Sequence, residues 1–570
     1  MTSAIFVFQL MAKKMSEARR YYSEHSVLDP LTLSIVRHKL QALAEEMVET
    51  MTHTCFSPIL NLNQDFSSVV LDREARTLAQ AERVPIHVGA MPFAIKTMMS
   101  LYEGDIQPGD IIMANDPFYG GSHLPDITLA KPVFWENEIQ FWVSLRAHQG
   151  DIGGISAGGY SPSATEIWHE GLRIPPIKLV TGGTLREDVM RLVAANSRRP
   201  DDLRGDVMAQ LASVLVGAKG IETLLQRYGA NAVSTCGDAI LDAGEAAMRR
   251  SIQKCQKKSY EGIGFLETGD VGNILSITAK VEFSDGKVSV DLTDCPEQQP
   301  SFINSPIANT VSAVYVAFLY IFGDEQVFNS GIERVIEIRT RPGSLLDPVL
   351  PAAVVGCTSL TSVAIIEAVL KALSEAMPNS AISGFARRFR FALAGTDRND
   401  DNYIWHFFFN RGGAGANRMF DGWPNLGGIH NPGGTPAPSV EQTEAAYPLL
   451  IEEYSLRPDS GGSGAKRGGL GGKIILKYEG EVPAIVNAAG DGVSVPPYGL
   501  FGGSVGAMHN YRIERANGDQ INLGVRDHGV VLTSGDRIIC FSAGGGGIGS
   551  PDMRSPAEAQ RDLSFGYTTA

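Results

Sequence analysis

Apolar residues recur at helical spacing from Leu31 through Ile35, Val36, Leu40, Leu43, Met47 and Met51, so Leu31 to His53 is predicted as an amphipathic helix entered at Asp29-Pro30. The pattern becomes strand-like over Ser67 to Leu71, then returns to helical spacing over Val84 to Tyr102, a second, buried helix. Ile106 to Asp126 is rich in glycine and proline and carries several turn signals. Ile127 to Phe134 and Ile139 to Ala147 both read as strands, and the polar Glu136-Asn137-Glu138 between them makes a β-hairpin with a short loop. Pro132 cannot donate to a ladder, which puts the first strand at a sheet edge or Pro132 at a non-bonded position.

Farther along, Arg186 to Gly229 and Ala239 to Lys258 are helical by period, Ile274 to Leu292 alternates as strands, and Thr310 to Phe322 is helical again. A proline-rich passage, Arg341 to Pro351, follows; from about residue 396 the chain is glycine-rich and reads as β and loop. The predicted class is α+β: a multidomain chain of mixed helices and β-sheets with a glycine-rich β/loop C-terminal part. Its 570 residues exceed the ~250–300 that one core supports. The expected division is an N-terminal extension (1–28), a metal-site domain (29–260), an α/β middle domain (261–395) and a glycine-rich β domain (396–570).

The formal net charge of −14 opposes binding to a phosphate backbone, so nucleic acid is not an expected partner. Two short basic clusters, Arg198–Arg199 and Lys254 with Lys257–Lys258, read as solvated faces. The six cysteines are widely and irregularly spaced with no CxxC pair, which fits a reducing cytosol and a cytoplasmic enzyme. No apolar run reaches the ~20 residues of a bilayer span, so no membrane is expected. Ala4 to Met11 is mildly apolar, but its basic residues follow rather than precede it, the wrong order for a secretory signal. The first 28 residues are expected to fold on a partner, or Met15 is the true start.

Gly544, Gly546 and Gly549 match GxGxxG, yet no useful helix follows and no acidic residue lies ~20 positions on, so no nucleotide site is expected. Gly154-Ile-Ser156-Ala-Gly158 matches a nucleophile elbow by letter, but Gly159 and Pro162 stand where its helix should begin.

Seven of the eleven histidines fall between His25 and His169, which directs attention to the first third of the chain. If the hairpin loop is centred on Asn137, Asp126 stands opposite His148, and His123 lies three residues before Asp126. Two imidazoles and one carboxylate then converge at the open end of one hairpin. That donor set suits zinc, manganese or iron, with positions left open for water or substrate. Gly120 and Gly121 before it, and Gly150, Gly153 and Gly154 after it, permit close backbone approach. A hydrogen-bonded His–Asp pair at a strand end would use the same spacing. Asp65 is a strand-end carboxylate that either reaches this site or caps a surface turn. His87, between Ile86 and Val88, reads as a core histidine, and Asn115-Asp116-Pro117 as a turn.

The chain resembles the hydantoinase B family over nearly everything from Asp29 to Arg554. The residues that carry the resemblance are Asp29-Pro-Leu-Thr, Gln64-Asp65-Phe-Ser, Pro85-Ile-His87-Val-Gly, Asn115-Asp-Pro-Phe-Tyr-Gly-Gly-Ser-His123-Leu-Pro-Asp126 and His148-Gln-Gly-Asp151-Ile-Gly-Gly. Glu170-Gly-Leu-Arg-Ile-Pro-Pro, Asp459-Ser-Gly-Gly, Arg467-Gly-Gly and Gly544-Gly-Gly-Gly continue it. It departs in two places: the chain ends soon after Phe565-Gly566-Tyr567, and Asp491-Gly492 stands near where many relatives have Asp-Arg or Glu-Arg.

The resemblance implies metal ligation by His123, Asp126 and His148, with Asp65 at the metal and in a catalytic role. It also implies a hydantoinase A-type ATP-binding partner in a hetero-oligomer such as A2B2, which brings ATP and magnesium. The implied reaction is ATP-dependent opening of a cyclic amide: a hydantoin, 5-oxoproline or a lactam. The partner would phosphorylate the carbonyl oxygen, and water made acidic by the metal would attack the activated carbon, oriented or deprotonated by Asp65. Two alternatives remain: a subunit of an acetone- or acetophenone-type ketone carboxylase, and a non-catalytic scaffold subunit.

Overall fold

The computed structural model describes residues 29–255, 258–269, 273–323, 328–397, 401–431 and 436–569. The N-terminal extension with Met15, and Lys257 of the second basic cluster, lie outside them. The first helix, Pro30–Thr54, starts where predicted: Pro30 takes its first position and the Asp29 carboxylate accepts the N–H groups of Leu31 and Thr32. It packs on a seven-stranded sheet of β1 (Phe66–Asp72), β2 (Thr77–Glu82), β3 (Ile111–Ala114), β4 (Asp126–Trp135), β5 (Glu138–His148), β6 (Ile177–Thr181) and β7 (Thr184–Leu185). The strands run in the order β2-β1-β5-β4-β3-β6-β7, every neighbouring pair antiparallel.

β4 is therefore interior, which corrects the edge reading of Pro132. Its pairing with β3 covers only Thr128 to Ala130, so Pro132 lies beyond that ladder, opposite Trp142 of β5. The hairpin turn also differs from the predicted loop. It has two residues, Glu136 and Asn137, both left-handed with φ of 49° and 68°, and Glu138 already belongs to β5. Val133 pairs with Phe141 and Phe134 with Ile139, leaving Gln140 as a bulge. The bulge restores the offset that a loop centred on Asn137 would have produced, and Asp126 pairs with His148 as expected.

One sheet face buries Ile127, Leu129, Val143, Leu145 and Ala147 against helices Pro30–Thr54 and Pro200–Tyr228. The other face packs Val69, Leu71, Ala130 and Trp142 on helix Met91–Leu101. The predicted helix Val84 to Tyr102 is divided into Pro85–Val88 and Met91–Leu101. The division falls at Gly89, where a Cβ would stand 2.6 Å from the Ser312 hydroxyl of helix Ile307–Phe322. Arg186 to Gly229 likewise divides into Glu187–Ala194 and Pro200–Tyr228, and the next helix, Ala230–Ile252, starts earlier than its period suggested.

A second sheet, ordered β11-β10-β9-β8, comprises β8 (Ser259–Glu267), β9 (Ile274–Ser284), β10 (Lys287–Asp291) and β11 (Ile336–Arg339). Helices Ile307–Phe322 and Ser362–Ala376 share its core, and Val84, Ile86, Tyr160 and Ala164 join that core from the first third of the chain. Pro200–Tyr228 and Cys357–Ala376 have the length and apolarity of membrane spans, contrary to the reading of the bare sequence; both contribute instead to the protein's interior.

The last third contains two further sheets. β12 (Phe389–Thr396), β13 (Asn402–His406), β16 (Ala484–Gly490) and β19 (Val530–Leu532) form one, and β14 (Leu449–Leu456), β15 (Gly472–Tyr478), β17 (Asn510–Glu514), β18 (Gln520–Asn522) and β20 (Arg537–Phe541) the other. They share an aromatic core in which Phe391 stacks on Phe407 at 4.5 Å. Gly544 to Gly547 thread between backbone segments, with N–H groups bonded to Ala507, Gly469, Gly384 and Ser504 in turn. A Cβ at Gly544, Gly545 or Gly546 would overlap the carbonyls of Ser460, Ala414 and Tyr498. These glycines exist for backbone packing.

Gly545→Ala is accordingly expected to destabilise by ~3 kcal/mol or more through overpacking. Gly518→Ala, at an exposed turn with φ 92° and open space around it, should lose only ~1–2 kcal/mol for its left-handed backbone. Denaturant unfolding of both variants checks this; equal losses would refute the close-packing account.

Candidate metal centre

Asp65, His148 and Asp126 occupy one row across three adjacent strands. Asp126 opens β4 and pairs with His148, which closes β5. The His148 N–H donates to the Asp65 carbonyl at 3.0 Å, one step before the Phe66–Ala147 pair of β1 and β5. Directly opposed residues project from the same sheet face, so the three side chains gather at one end of the sheet. His123 enters from the preceding loop, held by a turn in which the Asp126 N–H donates to the His123 carbonyl at 3.0 Å. Gly120 and Gly121 allow that loop to fold in: a Cβ at either would stand 2.5 or 2.6 Å from backbone atoms of Ala94 or Asn115.

His123 Nε2, His148 Nδ1 and Asp126 Oδ1 are separated by 2.9, 3.1 and 3.1 Å. Donor atoms ~2.1 Å from one ion stand roughly 3.0–3.4 Å apart in right-angled to tetrahedral geometry. The His123 Nδ1 lies 2.8 Å from the Val355 carbonyl, which only an N–H can satisfy, so a ring carrying a single proton turns its Nε2 lone pair toward Asp126. A lone pair and a carboxylate oxygen at 2.9 Å repel unless something positive, a proton or a metal ion, stands between them. The three residues could hold one divalent cation. All are buried.

The surroundings favour the ionised carboxylate. Burial opposes charge on Asp126, but with a proton between it and His123 the neighbouring His123 and His87 and the hydrogen bonds from His123 and His148 outweigh it and hold its carboxyl well below the usual range. Its Oδ2 accepts from the Ser122 hydroxyl at 2.5 Å, and the guanidinium of Arg146, wholly buried on the same face of β5 as His148, lies 3.3 Å from that hydroxyl.

His87 is buried, as a core histidine should be, and it also stands beside the three-donor group. Its Nε2 lies 3.4 Å from Asp126 and 3.8 Å from Asp65, and its Nδ1 has no hydrogen-bond partner. Burial lowers its pKa despite both carboxylates. The Asp65 carboxylate lines the same cavity, beside His87 and outside the three-donor group.

Asn115 and Asp116 serve structure, as their turn signal suggested. Asn115 bonds the Leu124 and Leu172 carbonyls, and Asp116 caps the turn Pro117–Tyr119 and pairs with Arg173. Arg198 is more than a solvated charge: it bonds Asp151 at 2.9 Å.

The cavity lies between the first sheet and the last third of the chain. Its far wall consists of residues that the sequence reading passed over: Tyr160, Arg388, Arg390, Phe408 and His430, with Thr358 and Ser359 from the π-helical turn Cys357–Thr361. The available signal was Arg387-Arg388-Phe389-Arg390, three cations entering an apolar strand. Of these, Arg387 turns away and pairs with Glu367 and Asp491, so Asp491 keeps a charged role at one of the two places where the sequence departs from its resemblance.

The sequence profile for Hydantoinase B/oxoprolinase matches residues 29–551. The chain belongs to that family. It is similar to the caprolactamase subunit beta of Pseudomonas jessenii, with 35% identity over 557 residues and 95% of each chain covered. The crystal structure of the ATP-dependent caprolactamase from Pseudomonas jessenii matches with a TM-score of 0.89 and 32% identity over 95% of both chains. That agreement bears out the expected mixed α+β, multidomain class. A nucleotide-free acetone carboxylase structure has the same fold, with a TM-score of 0.88 at 20% identity over 96% of this chain and 79% of that one.

Within this member of the hydantoinase B/oxoprolinase family, Glu170 links the centre to the middle of the chain. Its Oε1 accepts the N–H groups of Val354 and Val355 at 2.8 and 2.7 Å, and so fixes the segment whose carbonyl orients His123. Burial pushes its carboxyl up to about 8, against the pull of those two bonds. The fold thus favours neutral Glu170: this contribution to stability is complete below the ordinary glutamate value and is lost as pH rises through about 8. Glu170→Gln, which cannot ionise, should flatten the fall in Tm across that window. Parallel melting curves for the two proteins would refute the assignment.

Proposed function

We propose that this chain is the metal-holding subunit of an ATP-dependent cyclic-amide hydrolase, acting on a carbonyl-phosphorylated ring made by a hydantoinase A-type partner. The observation that carries this reading is the convergence of His123, Asp126 and His148 within 4.8 Å, with His123 and His148 on the wall of a cavity. The similarity to a caprolactamase subunit beta supports both the reaction class and a partner subunit.

An amide carbonyl is a poor electrophile, and phosphorylation of its oxygen removes that protection. His123, Asp126 and His148 would hold a divalent cation, zinc, manganese or iron, which would supply Lewis acidity and lower the pKa of water toward ~7. Asp65, on the same cavity wall, is placed to orient the attacking water and take its proton. Water adds to the activated carbon, the ring C–N bond breaks with a proton delivered to nitrogen, and a second water releases phosphate from the acyl phosphate that results. The buried walls exclude bulk water from the reactive phosphate.

The purified chain should contain about one divalent cation, and His148→Ala should lose it. With the A-type partner, ATP and a lactam, that variant should be slower by at least ~100-fold. Metal-free wild type that turns over fully would leave the chain as a scaffold, and bicarbonate consumption in place of ring opening would make it a carboxylase subunit.

A further inference from the structure

β12 alternates. Phe389 and Phe391 enter the aromatic core of the last third, and Arg388 and Arg390 lie on the opposite face, lining the cavity that contains His123, His148 and Asp65. The two arginines are only 7% and 6% exposed. Their neighbour Arg387 pairs with Glu367 and Asp491, but among the described residues no carboxylate lies within ion-pairing distance of Arg388 or Arg390. The Arg390 guanidinium stacks on the Tyr160 ring at 3.8 Å and Phe408 lies 5.2 Å from Arg388, so aromatic faces hold the planes and leave N–H edges for the cavity. His430 stands beside them with an unpartnered Nδ1.

Buried, unpaired charge is costly and persists where a ligand compensates for it. The charge count around the cavity gives the ligand's sign. Arg388 and Arg390 bring two guanidinium groups to the cavity wall against the single carboxylate of Asp65, so the wall itself favours an anion. A carboxylate fills one guanidinium fork; two forks opposite a cation suit a tetrahedral dianion with oxygens to spare.

We propose that Arg388 and Arg390 form an oxyanion clamp that binds the phosphoryl group of the activated substrate and, after ring opening, the phosphate it leaves. This rests on the metal-centre and phosphorylated-ring reading above and names the residues that would hold the phosphoryl group. The clamp aligns the activated carbon with the opposite wall, and its arginines are positioned to neutralise charge as the phosphate leaves.

Inorganic phosphate is the probe, titrated calorimetrically into the full chain without partner, ATP or lactam. Wild type should bind it and melt at a higher temperature in its presence. Arg388→Gln and Arg390→Gln should each weaken binding at least ~10-fold and lose the melting shift. Arg390→Lys, which keeps charge but loses the fork, should fall between wild type and the glutamine variants and serves if a glutamine variant does not fold. Without phosphate the glutamine variants should melt at or above the wild-type temperature, because a buried unpaired charge has gone.

Unchanged phosphate affinity in the variants would overturn the clamp. So would phosphate-free variants that melt well below wild type, which would make the arginines structural. Acetate displacing phosphate at equal concentration would reassign them to a substrate carboxylate and overturn the phosphoryl assignment. Failure of lactam turnover would refute the hydrolase reading and leave this binding result standing. Lactam turnover beside an unaltered phosphate affinity would do the reverse.

Discussion

The antiparallel register of β1, β5 and β4 is the constraint on which the centre depends. Side chains alternate along a strand, so a slip of one residue in either pairing would carry His148 or Asp126 to the helix-packed face and bring an alanine or isoleucine into the site. The register is fixed from both sides. Ile127, Leu129, Leu145 and Ala147 are buried against long helices on one face, while Ala130 and Trp142 meet helix Met91–Leu101 on the other. At the far end a two-residue turn and the bulge at Gln140 bring the strands into step. The hydrophobic effect thereby determines where two polar side chains meet.

The polar end of this sheet is tolerable because several of its buried groups have an electrostatic answer. Arg146 faces Ser122 and Asp126, the Val355 carbonyl takes an N–H from His123, and Glu170 takes the amides that hold Val355 in place. What the protein leaves unanswered is correspondingly informative. His87 Nδ1, His148 Nε2, His430 Nδ1 and the two Nε atoms of Arg388 and Arg390 have no partner, and all five residues line one cavity. Such groups weaken a fold, and their concentration between two walls marks a place where stability yields to binding. The fold shared with caprolactamase and acetone carboxylase structures supplies the scaffold; the chemistry must be argued from these side chains.

Much of the near wall was legible in the sequence because it is local. A hairpin is a short-range object, and its numbering alone set Asp126 against His148, with His123 one turn away. The helix at Pro30 and the alternation of β9 and β10 were likewise written in period and capping. The turn was predicted one residue too long, an error that the bulge cancelled. Helix breaks at Gly89 and before Pro200 were missed because periodicity runs through them, while the cause at Gly89 is a helix more than 200 residues away. The membrane-like apolarity of Cys357–Ala376 came from deep burial, which no local pattern distinguishes.

The far wall was decided by tertiary structure alone. Arg388 and Arg390 follow Asp126 by more than 250 residues, and nothing in their spacing tells which strand face meets which cavity. His87 looked like an ordinary core histidine because burial and apolar neighbours are all that sequence reveals of it, yet the break after Val88 places it between two carboxylates. The glycine run looked like a phosphate loop and proved to be backbone packed on backbone. Sequence determined the elements and the ligands that one hairpin brings together, since those depend on neighbours along the chain. The packing of separate sheets against one another determined the cavity, its charge and its unpartnered groups, since those depend on residues that meet only when the chain is folded.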